Sequence, residues 1–382
     1  MCFSLRCGPC GVRMTGGPIA QELRRTKRQS RSLAGRGTIC LASTSGGHLA
    51  QLEAIAASLQ YYDLYLVTVR SPQALSVFPK TRKHYVHQIL RNPIGFVLNA
   101  AQSVAILIRE RPCAVLTTGA GDALPTALWA ACLGIPVVFV ESMARTENPS
   151  LFGRIINRFA QLTVVQWPGL SITYASSVLA APIFRPRGTR DTVPSVPNIV
   201  VLTGTHSRGF DRLLASIDEL LERGELEANV FAQVGHARYR PRNYGYLDFL
   251  PRDSLLEHLR LADVVVTHDG AGSIGDAFFT GKPVVVVPRM WSHGEVSYHT
   301  TSDLAQELAR LGWVTLVTNP LELASAIARL NEAPALETVR LGPEVGEVVR
   351  QFLDSLSASL SEPSIISNLS AMPRSPDGGH HR

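Results

Sequence analysis

The stretch Val264-Val265-Val266-Thr267-His268-Asp269-Gly270-Ala271-Gly272-Ser273-Ile274 decides the fold. A short unbroken apolar run is how a strand buried on both faces reads, and a glycine turn that passes straight into a helix completes the first half of a βα unit. Backbone N–H groups and the dipole of a helix opening on such a turn favour a diphosphate without help from lysine or a metal ion. Gly270, Gly272 and Gly275 satisfy G-x-G-x-x-G literally. A dinucleotide site also wants an acidic residue closing the next strand, however, and Val284 to Val287 runs into Pro288-Arg289, so NAD is disfavoured.

The same rhythm extends in both directions. Toward the C-terminal half, strands are expected at Ile199 to Leu202, Val230 to Gln233, Val264 to Thr267, Val284 to Val287 and Val314 to Val317. Toward the N-terminus they are expected at Ile39 to Ala42, Leu64 to Val69, Ala114 to Thr117, Val137 to Val140 and Leu162 to Val165. Helix-period segments separate them, and the proline-rich, aperiodic Ala181 to Pro197 looks like a connection between two units. The expected fold class is α/β, with two Rossmann-like, doubly wound domains facing each other across a cleft. Boundaries fall at a basic arm (1–37), a first domain (38–185), a linker (186–198), a second domain (199–356) and a tail (357–382) rich in Ser, Pro, Gly and His. The arm and the tail are both expected to be disordered.

Composition narrows the class. With 382 residues, 45% hydrophobic and 18% charged, the chain is neither collagen-like, coiled-coil nor wholly disordered. The net charge is +6, and the arm, with eight Lys/Arg against Glu22 alone, holds more than all of it. The basic pI therefore does not argue for nucleic-acid binding. Six cysteines are too sparse for a disulfide scaffold and point to a reducing compartment. Cys7-Gly8-Pro9-Cys10 copies a redox spacing but lies in the arm rather than at a strand end, while His380-His381 and Asn368-Leu369-Ser370 are tail features. No signal peptide is evident. Phe159 to Phe184 and Ala123 to Val140 are interrupted by prolines, and Asn92 to Ile108 is too short and too polar for a confident membrane span.

Glycine turns recur at strand ends. Ser43-Thr44-Ser45-Gly46-Gly47-His48 follows the first strand, and Leu52, Ile55, Ala56 and Leu59 share one face of the helix after it. His48 can accept a proton near neutral pH, or it simply caps that helix. Thr118-Gly119-Ala120-Gly121 follows the third strand and Glu141 the fourth; that carboxylate is either a base or a structural cap. In the second half, Thr203-Gly204-Thr205-His206 ends a strand, and Pro288, Arg289, His293, Gly294, Glu295, His299 and Asp303 form a polar cluster that reads either as a hydroxyl-binding loop or as a solvated one.

Taken together, these motifs resemble the glycosyltransferases of the family 28 type, with two-lobed GT-B architecture. The chain looks like a fusion of the acceptor subunit and the catalytic donor subunit of the transferase that adds the second N-acetylglucosamine to dolichyl pyrophosphate, whose bacterial relatives make capsule and exopolysaccharide. The first half carries the resemblance through Ser45-Gly46-Gly47-His48-Leu49, Thr118-Gly119-Ala120-Gly121, Val140-Glu141-Ser142-Met143-Ala144-Arg145 and Val165-Gln166-Trp167-Pro168. The second does so through Thr203-Gly204-Thr205-His206, Phe210-Asp211-Arg212-Leu213, Gln233-Val234-Gly235-His236 and His268 to Ile274.

The resemblance implies a UDP-sugar donor in the second domain and a polyprenyl-pyrophosphate-linked saccharide on the first. Donor contacts are then expected from Gly204, Thr205, His268, Gly270, Ala271, Gly272, Ser273, Ile274, Glu295, His299 and Asp303, and acceptor contacts from Ser45, Gly46, Gly47, Gly119 and Gly121. Relatives usually carry Gln and Glu shortly after the equivalent of His299; here Thr300-Thr301-Ser302-Asp303 follows, with Gln306-Glu307 in a shifted register. The expected chemistry is an inverting displacement with His48 as first and Glu141 as second candidate base, without a cofactor or metal. Pro93 to Ile108, with Arg91, Arg109 and Arg111 at its ends, would dip into a membrane surface or form a buried core helix. The expected location is the inner face of the cytoplasmic membrane. A non-catalytic partner of another transferase and a nucleotide-sugar epimerase are the alternatives.

Overall fold

The computed structural model describes residues 37–89, 92–186, 192–205, 207–296, 303–332 and 342–361. The basic arm, the Cys7/Cys10 pair, Arg91, His206, His299 and the tail from residue 362 lie outside them.

The first lobe runs β1 (Thr38–Ala42), α1 (Gly47–Ala56), β2 (Asp63–Thr68), α2 (Pro72–Ser76), β3 (Arg82–Tyr85), α3 (Pro93–Glu110) and β4 (Ala114–Thr117). It continues with α4 (Leu124–Cys132), β5 (Val137–Val140), α5 (Leu151–Ile156), β6 (Leu162–Val165), α6 (Pro168–Thr173) and β7 (Val178–Leu179). The second lobe runs β8 (Asn198–Leu202), α7 (Asp211–Glu222), β9 (Asn229–Gln233), β10 (Gly245–Leu247), α8 (Arg252–Leu261), β11 (Val264–Thr267) and α9 (Ala271–Phe279). β12 (Val284–Val286), α10 (Asp303–Arg310), β13 (Thr315–Leu316), α11 (Leu323–Ala328) and α12 (Val345–Ser361) follow among the described residues.

Both sheets are parallel throughout, in the orders β3-β2-β1-β4-β5-β6-β7 and β10-β9-β8-β11-β12-β13. The fold class matches the sequence expectation: two doubly wound α/β sheets. Strand order reverses between β1 and β4 and again between β8 and β11, so each lobe has a switch point, where open parallel sheets leave a crevice at their carboxyl ends. β4, β5 and β11 are buried along their whole length, as their unbroken apolar sequences require.

Three strands had no counterpart in the sequence reading. β3 (Arg-Lys-His-Tyr) and β10 (Gly-Tyr-Leu) are sheet edges with exposed residues, and β7 has two residues. Edge strands bury only one flank and so carry no apolar run to read.

The boundaries at the C-terminal end need correction. Residues 345–356, grouped by sequence with the second domain, belong to α12, which returns to the first lobe. Val345, Val349 and Leu353 join Leu52, Ile55 and Leu59 in one core, and the Tyr62 hydroxyl donates to Asp354 at 2.7 Å. The amphipathic face of α12 finds its apolar partner on α1, not in the second lobe, and the helix continues through Ser361, past the expected start of the tail at 357. In the connection, Val193 packs into the second core, while Phe184 lies against α9 so closely that a Cβ on Gly275 would sit 2.5 Å from its Cγ.

Candidate active site between the lobes

The two switch points face each other. α1 starts from Gly46, whose φ of +98° is a conformation glycine adopts without penalty, and α9 starts from Gly270. A Cβ on Gly272 would lie 3.6 Å from Gly47 Cα, and one on Gly47 would lie 3.6 Å from Gly272 N, so the first turns of the two helices touch across the lobes. Neither helix has a side-chain N-cap, which leaves backbone N–H groups of both first turns to other partners. Met143 and Trp167 of the first lobe pack with Val265, Ile274 and Phe278 of the second, fixing the contact beneath.

On the first-lobe side the turns after β1 and β4 are laced together. Thr118 Oγ1 donates to the carbonyl of His48 at 2.9 Å, Thr44 Oγ1 donates to Asp122 at 2.8 Å, and the other Asp122 oxygen accepts Ile89 N at 2.8 Å. Ser45 bonds Ser71, and Gly119 (φ +95°) turns the chain over Phe152, while Gly121 has open space where a Cβ would stand. His48 is placed with defined chemistry. Its Nδ1 is 2.7 Å from the carbonyl of Thr118, so Nδ1 carries the proton and Nε2 keeps a lone pair. Burial pushes the imidazole below its ordinary pKa, against the raising effect of the Thr118 bond, so it is a neutral base at physiological pH.

Glu141 is a different case. Oε1 accepts Ser142 N at 2.9 Å, and Oε2 accepts Ser150 N at 3.0 Å, Ser150 Oγ at 3.0 Å and the Tyr174 hydroxyl at 2.7 Å. The residue is buried, and Gly153 lies against it so closely that a Cβ there would meet Oε2. Four donors occupy the carboxylate, which closes the 142–150 loop and is not available as a base. The structural alternative raised from sequence is the one that fits. Glu141→Gln replaces an acceptor facing buried donors with an amide, so stability should fall by about 1–3 kcal/mol. Thermal unfolding of the variant checks this; an unchanged midpoint with lost turnover would restore Glu141 as a base.

Gln51 was missed. It stands on the buried face of α1 and accepts Met143 N at 2.8 Å and Gln166 Nε2 at 3.2 Å, tying the first helix to the segments that meet the second lobe. A polar residue among apolar neighbours in α1 was the available signal.

On the second-lobe side the His268 ring is wedged between two glycines. A Cβ on Gly204 would lie 2.3 Å from its Nε2 and one on Gly270 2.1 Å from its Cε1. Nε2 in turn is 3.2 Å from Ser273 Oγ. Gly204 (φ +75°), Thr205, His268 and the run Gly270, Ala271, Gly272, Ser273 therefore lie together at the β8/β11 switch point, whereas Ile274, expected from sequence to contact the donor, is a core residue. It is fully buried and supports the others from below.

Glu295 does not stand free for a ribose. Its two oxygens form a fork with Arg212 at 2.9 and 3.0 Å, and one also accepts Met290 N at 2.7 Å, so it braces the loop after β12. Arg289 is buried and bonds the carbonyl of Thr203. Asp303 begins α10, in the favourable position for an acid on a helix dipole. Asp276, one turn into α9, was not singled out; it pairs with Arg252 at 3.0 Å, and burial raises its pKa. Among the described residues no group of three or more His, Cys, Asp or Glu is arranged to hold a metal ion.

Comparison with known proteins finds a family model similar to part of each lobe. Residues 56–183 match "Oligosaccharide biosynthesis protein Alg14 like" and residues 198–340 match "Glycosyltransferase family 28 C-terminal domain". The UDP-N-acetylglucosamine–N-acetylmuramyl-(pentapeptide) pyrophosphoryl-undecaprenol N-acetylglucosamine transferase of Synechococcus sp. (strain JA-2-3B'a(2-13)) is 24% identical over 360 residues, 83% of this chain and 95% of its own. The human UDP-N-acetylglucosamine transferase subunit ALG14 is 27% identical over 173 residues, 37% of this chain and 80% of its own. The crystal structure of Acinetobacter baumannii MurG superposes with a TM-score of 0.59 at 17% identity, covering 83% of this chain and 99% of MurG. A UDP-GlcNAc 2-epimerase from Neisseria meningitidis gives 0.60 at 13% identity, covering 83% and 100%, so backbone shape alone does not separate the two enzyme classes. The sequence matches do separate them: the first lobe is similar to Alg14-like proteins and the second to the family 28 C-terminal domain, and together they support a UDP-sugar glycosyltransferase on a GT-B frame.

Proposed function

We propose that the chain moves a sugar, with inversion, from a UDP-sugar held by the second lobe to a sugar on a polyprenyl pyrophosphate presented by the first, building a lipid-linked saccharide for a surface polysaccharide such as capsule or exopolysaccharide. The observation that carries this reading is the contact of Gly47 with Gly272, so close that a Cβ built on either would stand 3.6 Å from the other's backbone, which supports a site shared by His48 and the diphosphate-type turn. In the reaction the acceptor oxygen attacks the anomeric carbon, the bond from that carbon to the diphosphate breaks, and UDP leaves with the electron pair. His48 Nε2 takes the acceptor proton. The first-turn amides of α9, with Gly204 and Thr205, stabilise the charge growing on the leaving diphosphate. On the first lobe, Ser45, Gly46, Gly47, Gly119 and Gly121 are the surface offered to the acceptor. His299 and Asp303 remain candidates for the donor's ribose or sugar.

A lipid-linked acceptor needs a lipid-facing surface, and α3 supplies one by being inside out. Its inward face is polar or small over its first three turns, before Leu107 joins the core: Asn99 bonds the carbonyls of His87 and Asp122, and Ser103 bonds Thr126. Ile94 (69% exposed), Val97 (64%) and Ile108 (58%) point outward, with Phe96 and Leu98 beside them. Among the described residues no helix is long and apolar enough to cross a membrane. Interfacial docking at the inner leaflet fits such a face. Ile94→Asp/Val97→Asp should weaken binding to vesicles of bacterial lipid at least tenfold while turnover of a short-chain, water-soluble acceptor stays within twofold; unchanged vesicle binding would remove α3 from this role.

The reaction itself is tested by UDP release from a panel of UDP-sugars with undecaprenyl-pyrophosphate-linked sugars. Release that requires acceptor is the expected result. Donor conversion without acceptor would identify an epimerase, and binding without any turnover would identify a non-catalytic partner.

A further inference from the structure

The loop that Glu141 closes carries a cation beside the proposed base. Arg145 stands in a turn just past β5, closed by its own N–H on the carbonyl of Ser142 at 2.9 Å and by Ala144 N on Ser142 Oγ at 3.3 Å. Gln51 ties that turn to α1: its Oε1 accepts Met143 N at 2.8 Å, and its Nε2 donates to Ser142 Oγ at 3.4 Å and to the carbonyl of Gly47 at 3.2 Å. The backbone that carries Arg145 is therefore fixed against the first turns of α1, where His48 stands. Charge effects put the side chain in the same neighbourhood. Burial is the main cause of the lowered His48 pKa, and the Arg145 guanidinium lowers it further; burial raises the Tyr174 pKa, and Arg154 and Arg145 oppose that rise. Coulomb effects fade with distance, so Arg145 lies near both rings.

Arg145 is exposed, and among the described residues no hydrogen bond or ion pair engages its guanidinium. Glu147, the one acid in the 142–150 loop, lies against the start of α6, where a Cβ on Gly169 would stand 3.5 Å from its Cγ. Glu141 has its oxygens filled by four internal donors. A guanidinium without an internal partner, held at the carboxyl end of the first sheet beside a neutral base, suits an anion that arrives with a substrate. We propose that Arg145 sets acceptor specificity by gripping the diphosphate of the lipid carrier, so that a diphosphate-linked sugar is preferred over the same sugar without it. A guanidinium fork matches the paired oxygens of such a group. The inference rests on the proposed transferase reading and deepens it by naming the acceptor group that is recognised. The donor's diphosphate has the same chemistry, and the experiment separates the two.

Farnesyl pyrophosphate, which carries an isoprenoid diphosphate and no sugar, is titrated calorimetrically into the full chain of wild type, Arg145→Gln and Arg158→Gln. Arg158, also exposed, lies between α5 and β6 at the amino ends of the strands and controls for charge alone. The Arg145 guanidinium makes no internal bond, so its variant should fold, and thermal unfolding verifies it. Expected are binding at least tenfold weaker in Arg145→Gln, binding within twofold of wild type in Arg158→Gln, and UDP affinity within twofold in both. With a polyprenyl-pyrophosphate-linked acceptor, KM should rise at least tenfold in Arg145→Gln while kcat stays within threefold; with an alkyl glycoside of the same sugar, KM should stay within twofold. Equal farnesyl pyrophosphate binding by wild type and Arg145→Gln, or none by the wild type, would overturn the proposal. So would a tenfold loss of UDP affinity in Arg145→Gln, which assigns the guanidinium to the donor. Absence of acceptor-dependent UDP release by the wild type would instead defeat the transferase reading, while the titration still reads Arg145.

Discussion

His48→Ala should lower acceptor-dependent UDP release by roughly two to four orders of magnitude, the usual worth of a positioned general base, while UDP affinity stays within about twofold. Nδ1–H is committed to the carbonyl of Thr118, so the ring cannot flip its tautomer without giving up that bond, and Nε2 is left as the proton acceptor. Desolvation lowers the pKa, which sets the sign of the pH dependence: kcat should fall only as pH drops below the ordinary imidazole range and be flat through neutrality. Stability moves the same way. The unfolded chain binds this proton more readily than the folded one, so the neutral ring's contribution is complete above the unfolded pKa and is lost as pH falls toward the folded value. His48→Gln is a useful companion, because an amide can keep the bond to Thr118 but cannot take up the acceptor proton. If both variants keep wild-type turnover, the base lies elsewhere and the groove has been misread.

The sheets were legible because parallel strands buried on both faces leave unbroken apolar runs, as in Val264–Thr267 and Val137–Val140, and because glycine turns punctuate their carboxyl ends. What stayed hidden had a common cause. β3 and β10 are edges, α12 could have covered either lobe, and the hydrogen-bond load on Glu141 and Glu295 comes from residues distant in sequence: Ser150 and Tyr174 for one, Arg212 for the other. A carboxylate after a strand looks the same in sequence whether it faces substrate or four internal donors. Burial of its partners decides which, and that is a tertiary fact. His48 differs in that its ring is held through Nδ1 by a backbone carbonyl in the neighbouring glycine turn, an arrangement that leaves Nε2 its lone pair and so agrees with the proposed role.

The second large effect is expected at Gly270. Its φ of −82° is open to any residue, so Gly270→Ala introduces no backbone strain and acts through space alone. The added Cβ would stand 2.1 Å from His268 Cε1 and 2.8 Å from Nδ1, and the ring cannot retreat because Gly204 closes its other side. The ring must rotate out of the turn, losing Ser273, or push the β8 loop away from α9. Overpacking of this kind costs about 1–3 kcal/mol, and either route displaces the first-turn amides proposed to hold the diphosphate. UDP affinity should therefore fall at least tenfold and the unfolding midpoint should drop. Gly272→Ala is the control for position: its Cβ would meet Gly47 Cα at 3.6 Å, an ordinary contact, so stability should be unchanged or slightly raised by the better helix former. Measured together, the pair separates a packed His268 from a general intolerance of side chains in this turn. A Gly270→Ala protein with wild-type melting and UDP binding would mean that the ring has room to move, and the rigid donor surface inferred from its wedged position would have to be abandoned.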